Sequence, residues 1–270
     1  MAGRSIFITG GGSGIGRAIA RRFAESGWTV GLADINQAGL DETAALLPHG
    51  AFTTRLDVRD RAAWDAALAA FAHHAGRRID AVANNAGVPL AGPLAELSQD
   101  EIDRTLDINL RAVIYGAQAA HPWLKASAPG SCLINTASAA ALYGMSGQSI
   151  YGATKAGVRS LTETLDAEWA ADGIRVRSLM PSFIDTPLLK VPPNARSNVP
   201  IRETVQRAGL EFTPVEVVAD SAWAAVHDGG KVHRIVGKTA QSMAFAARWM
   251  PGRLRERARK LARVHAGLED

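Results

Sequence analysis

Ser138, Tyr151 and Lys155 stand in the run NTASAAALYGMSGQSIYGATKAG, the serine thirteen residues before the tyrosine and the lysine four after it. Residues four apart on a helix share a face, so Lys155 can hold a positive charge beside Tyr151. A free phenol ionises at about pH 10, too high for a base at neutral pH, and a neighbouring cation lowers that value. Such a tyrosine can take the proton of an alcohol, or give one to a developing alkoxide. Ser138 follows a predicted strand, where its hydroxyl can orient the same oxygen and stabilise its charge. A hydrolase nucleophile at Ser138 is excluded, because no GxSxG elbow surrounds it and NTASAAALYG holds no histidine. Taken alone, Tyr151 and Lys155 would be an exposed helix pair; the chemistry requires a partner that accepts hydride.

That partner is read from TGGGSGIG, Thr9 to Gly16. Gly10, Gly14 and Gly16 permit a tight turn and close backbone approach, and the helix that follows aims its free N–H groups at a pyrophosphate. Asp34 ends the second predicted strand, 20 residues after Gly14, where a carboxylate accepts hydrogen bonds from a ribose diol and repels a 2′-phosphate. Ser13, Ile35 and Asn36 bring no positive charge to relieve that repulsion. The expected cofactor is therefore NAD.

These residues need a scaffold, and the chain alternates short aliphatic runs with helical patterns. SIFIT, WTVGLAD, AFTTRLDV, IDAVANNAG, GSCLINTAS, GIRVRSLMPS and HRIVGK read as seven strands. IGRAIARRFAESG, stopped by Gly27, reads as the first helix; others run from about Gln99 to Asp107, Leu110 to Lys125 and Tyr151 to Asp172. The order predicts a Rossmann-like, doubly wound parallel sheet with helices on both faces. One catalytic domain is expected over residues 1–238, with an irregular substrate loop at 183–214 and a helical tail at 239–270.

TGxxxGxG, NNAG at Asn84 to Gly87 and YGATK at Tyr151 to Lys155, in that order, resemble the short-chain dehydrogenase/reductase family over about residues 4 to 237. The resemblance implies that Gly10, Ser13, Gly14, Ile15 and Gly16 line the pyrophosphate. It implies that Asp57 and Val58, ending the third strand, meet the adenine, and that Asn84 and Gly87 border the ribose and stabilise the centre of the sheet. Asn109, in DINLRA, would help to hold a water chain beside Ser138, Tyr151 and Lys155. Lys155 would also bind the nicotinamide ribose. Pro181, Ile184 and Thr186, in PSFIDTP, would flank the nicotinamide, the last two at its carboxamide. The family usually has Pro-Gly where this chain has Pro181-Ser182.

Composition narrows the rest. A single cysteine, Cys132, excludes a disulfide framework, and the seven histidines show no metal-ligand spacing, so no metal is expected. No apolar run approaches a signal sequence or a membrane span, which points to the cytoplasm. The net charge of +4 is uneven: Arg248 to Arg263 holds seven Lys/Arg and one Glu, or +6, leaving about −2 for the remainder. Nucleic acid is not expected as a partner. Leu142, Tyr143, Met145, Phe183, Leu188 and Leu189 form an expected apolar pocket rim, fitting a hydrophobic secondary alcohol or its ketone. Sugar or acyl-carrier substrates, or a low-turnover cofactor-binding scaffold, are the alternatives.

A homodimer or homotetramer is expected. In the tail, Leu254, Ala258, Leu261, Ala262 and Leu268 share one helix side and Arg255, Arg257, Arg259, Lys260 and Arg263 the other. Packing on the domain or a second subunit is the expectation, with weak contact to an anionic membrane surface as the alternative.

Overall fold

Strand alternation sorts the apolar residues of this chain to two faces. In the computed structural model, which describes residues 3–265 and side chains as far as 260, Ile6 and Ile8 of β1 (Ser5–Thr9) face one core cluster while Phe7 faces the other. The same parity holds in β4 (Ala81–Asn84) and β5 (Cys132–Thr136), where Val82 and Leu133 point opposite to their neighbours. Strands buried on both faces are what helices on both sides of a parallel sheet require.

The sheet has seven parallel strands in the order β3-β2-β1-β4-β5-β6-β7. The remaining strands are β2 (Thr29–Asp34), β3 (Phe52–Arg55), β6 (Arg175–Pro181) and β7 (His233–Val236). Ile19 and Phe23 of α1 (Gly14–Ala24), Leu40 of α2 (Gln37–Ala45) and Val218 and Ala222 of α8 (Val215–His227) fill one side. Trp64 and Phe71 of α3 (Arg61–His74), Ala120 and Leu124 of α5 (Ala112–Ser127) and Leu165 of α6 (Ser149–Glu168) fill the other. The chain reverses its winding between β1 and β4, so ligands are expected beyond the C-terminal strand ends there.

Several boundaries differ from expectation. β3 stops at Arg55, and Asp57 and Val58 lie in the turn after it; Leu56 and Val58 are buried, but against helix side chains. The helix expected at Tyr151 starts at Ser149, and its last turn, Ala170–Asp172, is a 3₁₀ turn closed by Gly173. Segment 183–214 is less irregular than its prolines imply: it holds a 3₁₀ turn at Pro187–Lys190 and a helix α7 (Ile201–Arg207). The tail forms α9 (Lys238–Trp249) and α10 (Pro251–His265). Leu268 lies outside the described residues, and Leu261, Ala262 and Arg263 outside the described side chains. No helix among the described residues is long and apolar enough to cross a membrane.

One tight contact is testable. A Cβ on Gly116 would lie 2.2 Å from Asn84 Oδ1 and 2.7 Å from the Trp64 ring. Gly116→Ala is expected to lose about 1–3 kcal/mol of stability, read from urea midpoints, because a well-packed core absorbs an added methyl only by straining.

Candidate active site

Four loops meet at the C-terminal edge of the sheet. Gly10 and Gly14 adopt φ of 66° and 50°, and a Cβ on Gly16 would lie 2.1 Å from the Gly10 carbonyl oxygen, so the turn into α1 is built for glycine. Ser13 is the N-cap residue, yet its side chain makes no capping bond. The first-turn N–H groups of α1 are thereby left without a side-chain acceptor, at the positive end of the helix. Such an end fits a pyrophosphate. Thr186 lies across it, its Cβ 3.2 Å from where a Gly14 Cβ would stand.

Asp34 is set above the same turn. Its Oδ2 accepts from Gly12 N–H at 3.1 Å and its Oδ1 from Asn36 N–H at 3.0 Å. Two backbone donors fix the carboxylate and leave further lone pairs for a diol. The sequence reading missed two nearby cations. Arg17 donates to the Gly12 carbonyl at 2.6 Å but is also tied to Glu42 and Thr43. Arg55, the register partner of Asp34 on β3, donates to the Ile35 carbonyl at 3.3 Å. The strand pairing was the signal for Arg55; Arg17 lies one turn into α1 from Ser13.

Ser138, Tyr151 and Lys155 lie together after β5 and on the first turns of α6. Ser138 is buried after β5, accepts from Ala140 N–H at 3.2 Å, and makes a hydroxyl contact with Tyr151. Burial raises the Tyr151 phenol above its ordinary value, and the Ser138 hydroxyl draws it back down. Lys155 Nζ lies 5.7 Å from the Tyr151 ring centroid and donates to the Thr136 carbonyl at 2.8 Å. Burial lowers this lysine to about 8.

Asn109 lies in a π-helical stretch, Asp107–Arg111, between α4 (Gln99–Leu106) and α5. Its side chain is fully buried and clamps Val88 from both ends: Oδ1 accepts from Val88 N–H at 2.9 Å, and Nδ2 donates to Val88 C=O at 2.8 Å. The Asn109 side chain thus holds the loop after β4. The clamp still borders the site, because a Cβ on Gly87 would stand 3.2 Å from Asn109 Oδ1 and 3.7 Å from Lys155 Nζ.

Two expected cofactor contacts are redirected. Asn84 turns into the interior, where Nδ2 donates to the Val113 carbonyl at 3.2 Å and to Asn135 Oδ1 at 3.0 Å, so its side chain braces the centre of the sheet. Asp57 is bound by Arg59 through its backbone N–H, Nε and Nη2, and that pairing holds its carboxyl below the usual range. An adenine would meet a carboxylate already engaged. Asn85, passed over in sequence, bonds Thr9 C=O through Nδ2 at 3.0 Å and accepts from the Thr136 hydroxyl at 3.3 Å.

On the substrate side, Ala91 N–H donates to Pro193 C=O at 3.1 Å and Gly92 N–H to Gly147 C=O at 2.8 Å, so the three loops are pinned to one another. Tyr143, Met145 and Phe183 are half-buried and Leu188 is exposed; Leu189 is buried and Leu142 packs into the core. Pro181 is buried, and its carbonyl faces Ser138 Oγ at 3.5 Å. The Ile184 side chain belongs to the core, so only its backbone is free to meet a ligand. Ser182 keeps its strand-like bond to the Val236 carbonyl at 3.4 Å, so the departure from Pro-Gly does not divert the chain.

The short chain dehydrogenase model matches residues 4–196. The chain is 35% identical over 230 residues to meso-2,3-butanediol dehydrogenase of Serratia marcescens, covering 84% of this chain and 89% of that one. It resembles a solved 3-ketoacyl-(acyl-carrier-protein) reductase of Brucella melitensis complexed with NADH, with a TM-score of 0.73, 29% identity, and coverage of 83% and 90%. A short-chain dehydrogenase structure from Streptomyces avermitilis matches in fold over 100% of both chains, with a TM-score of 0.80 at 24% identity.

Proposed function

The chain belongs to the short chain dehydrogenase family, and on that premise we propose that it is an NAD-dependent oxidoreductase interconverting a hydrophobic secondary alcohol and its ketone. The observation that carries this reading is the gathering of Ser138, Tyr151 and Lys155 beside an uncapped helix N-terminus. NAD, when bound, supplies hydride transfer with the carbinol carbon. The chain's own part is the proton. Tyr151 takes it from the hydroxyl in oxidation and returns it in reduction, Ser138 holds the substrate oxygen, and the Lys155 ammonium stabilises the phenolate. Asn109 and Asn84 are positioning residues that brace the loops around the site.

Half-buried Tyr143, Met145 and Phe183 favour an apolar substrate body. The Brucella relative is named for an acyl-carrier substrate, so acyl carriers, and sugars, are the alternative. The discriminating assay is absorbance of NADH across a panel of secondary alcohols, with the matching ketones, a sugar and an acyl-carrier ketone in reverse. Turnover confined to polar sugars or acyl carriers would replace the proposed substrate class. Tight NAD binding with no turnover on any panel member would make the protein a scaffold. A second copy is the expected partner, and the open groove between α5 and α6, lined by Ile114, Gln118, His121, Leu161 and Trp169, is the surface that suits it.

The cofactor preference follows from Asp34. With its carboxylate fixed by Gly12 and Asn36 and no cation at Ser13, Ile35 or Asn36, a 2′-phosphate would meet a negative charge. NAD is expected to be strongly preferred to NADP in kcat/KM. Asp34→Ala should lower kcat/KM for NAD about 10–100-fold, the worth of hydrogen bonds to a charged group, and narrow the gap. Ile35→Arg on that background should narrow it further. Equal use of both cofactors by the parent would show that Arg17 or Arg55 leaves its present partners to hold the phosphate.

A further inference from the structure

α9 and α10 are anchored at few points. Ala240 is fully buried where α9 meets β7 and the 3₁₀ turn after Ser138, and Leu254 is the one buried side chain of α10 among the described residues. The expected packing on the domain is therefore present but narrow. On α9, Phe245 and Trp249 are 58% and 65% exposed, and they are the exposed aromatics among the large apolar side chains described. Being four apart, they share a face. The Arg248 guanidinium lies 5.3 Å from the Trp249 ring centroid. Residues 248–260 then hold six Lys/Arg against Glu256 alone. Arg253, Arg255, Arg257, Arg259 and Lys260 are exposed, and none of them forms an ion pair among the described residues.

We propose that residues 245–260 dock the protein on an anionic lipid bilayer surface, with Phe245 and Trp249 seated at the headgroup level and the arginines against lipid phosphates. Aromatic residues with one wet edge prefer that depth, and a basic amphipathic helix lies in the plane of an anionic interface. Charge complementarity decides between occupants. A second copy meeting this face about a twofold axis would bring two strongly basic segments together, and protein interfaces are depleted of charge at their centres. Lipid phosphates instead supply the counter-charge that these cations lack among the described residues.

The test is cosedimentation of the full chain with phosphatidylcholine vesicles, with and without phosphatidylglycerol, at low and high salt. Binding is expected only with phosphatidylglycerol, and should weaken about tenfold or more at high salt as the lipid charge is screened. The pair Phe245→Ser and Trp249→Ser should weaken it about tenfold by removing the inserted area, with turnover and oligomeric mass unchanged. Arg255→Gln, Arg257→Gln and Arg259→Gln together should weaken binding to anionic vesicles about tenfold or more and reduce its salt dependence. No binding to anionic vesicles, equal binding to neutral ones, or tighter binding to a single-stranded oligonucleotide would overturn the proposal. So would a change of oligomeric mass in the serine variant, which would make the face a subunit contact.

Discussion

Tyr151→Phe should fold and bind NAD as the parent does and turn over about a thousandfold more slowly, within the range that a lost acid–base group costs. The ring of Tyr151 is half-buried, and phenylalanine keeps its packing. What goes is the hydroxyl that faces Ser138 and carries the proton. Ser138 remains, still held by Ala140 N–H, so the oxygen of a bound alcohol keeps one partner and loses its base. Quenching of protein fluorescence by NAD measures binding, and initial rates at saturating alcohol measure kcat. A near-parental kcat would remove Tyr151 from the proton path and leave Lys155, or water, as the base.

Lys155→Met should be crippled about 100-fold or more in kcat. It should also bind NAD more weakly, through loss of the expected ribose contact, which Tyr151→Phe would spare. Its stability should move the other way. Burial lowers the Lys155 ammonium to about 8 from its ordinary value of 10.5, so the folded state below pH 8 carries a desolvation cost of roughly 3 kcal/mol at 1.36 kcal/mol per pH unit. Part of this is offset because methionine leaves the Thr136 carbonyl without its donor. The variant is therefore expected to melt no lower than the parent at pH 7. Between about pH 8 and 10 the unfolded chain binds more protons at this lysine than the folded one, so parental stability should rise relative to the variant as pH increases. Paired melts at pH 7 and pH 9.5 check the sign. A lower melting temperature for the variant at pH 7 would mean that the ammonium stabilises the fold.

Much of the site was legible because its logic is local. The four-residue step from Tyr151 to Lys155 needs only helical geometry, and the glycines of 10–16 need only a strand, a turn and a helix. The partners of Asn84 and Asn109 are distant in sequence, whereas those of Asp57 and Pro200 lie in local turns. Strand parity turns Asn84, expected both at the ribose and at the centre of the sheet, toward Val113 and Asn135, 29 and 51 residues away. The π-helical stretch brings the Asn109 side chain onto Val88, 21 residues back. Asp57 was read without Arg59 because the local turn that pairs them was taken for strand. Buried aliphatics at Leu56 and Val58 imitate a strand end when they pack beneath a turn. The prolines of 183–214 hid α7, since Pro200 stands just before its first residue and does not interrupt it. In the tail, the exposure of Phe245 and Trp249 follows from how α9 seats on β7, which no helical wheel of residues 254–268 contains.

The central claim is that Ser138, Tyr151 and Lys155 serve direct hydride exchange between a secondary alcohol and NAD. The most direct measurement uses the best alcohol of the panel deuterated at its carbinol carbon, with the nucleotide product analysed by mass spectrometry. The deuterium is expected in the reduced nucleotide, and Tyr151→Phe is expected to suppress its formation. Reduced nucleotide formed without the label, or label transfer undiminished in Tyr151→Phe, would contradict it.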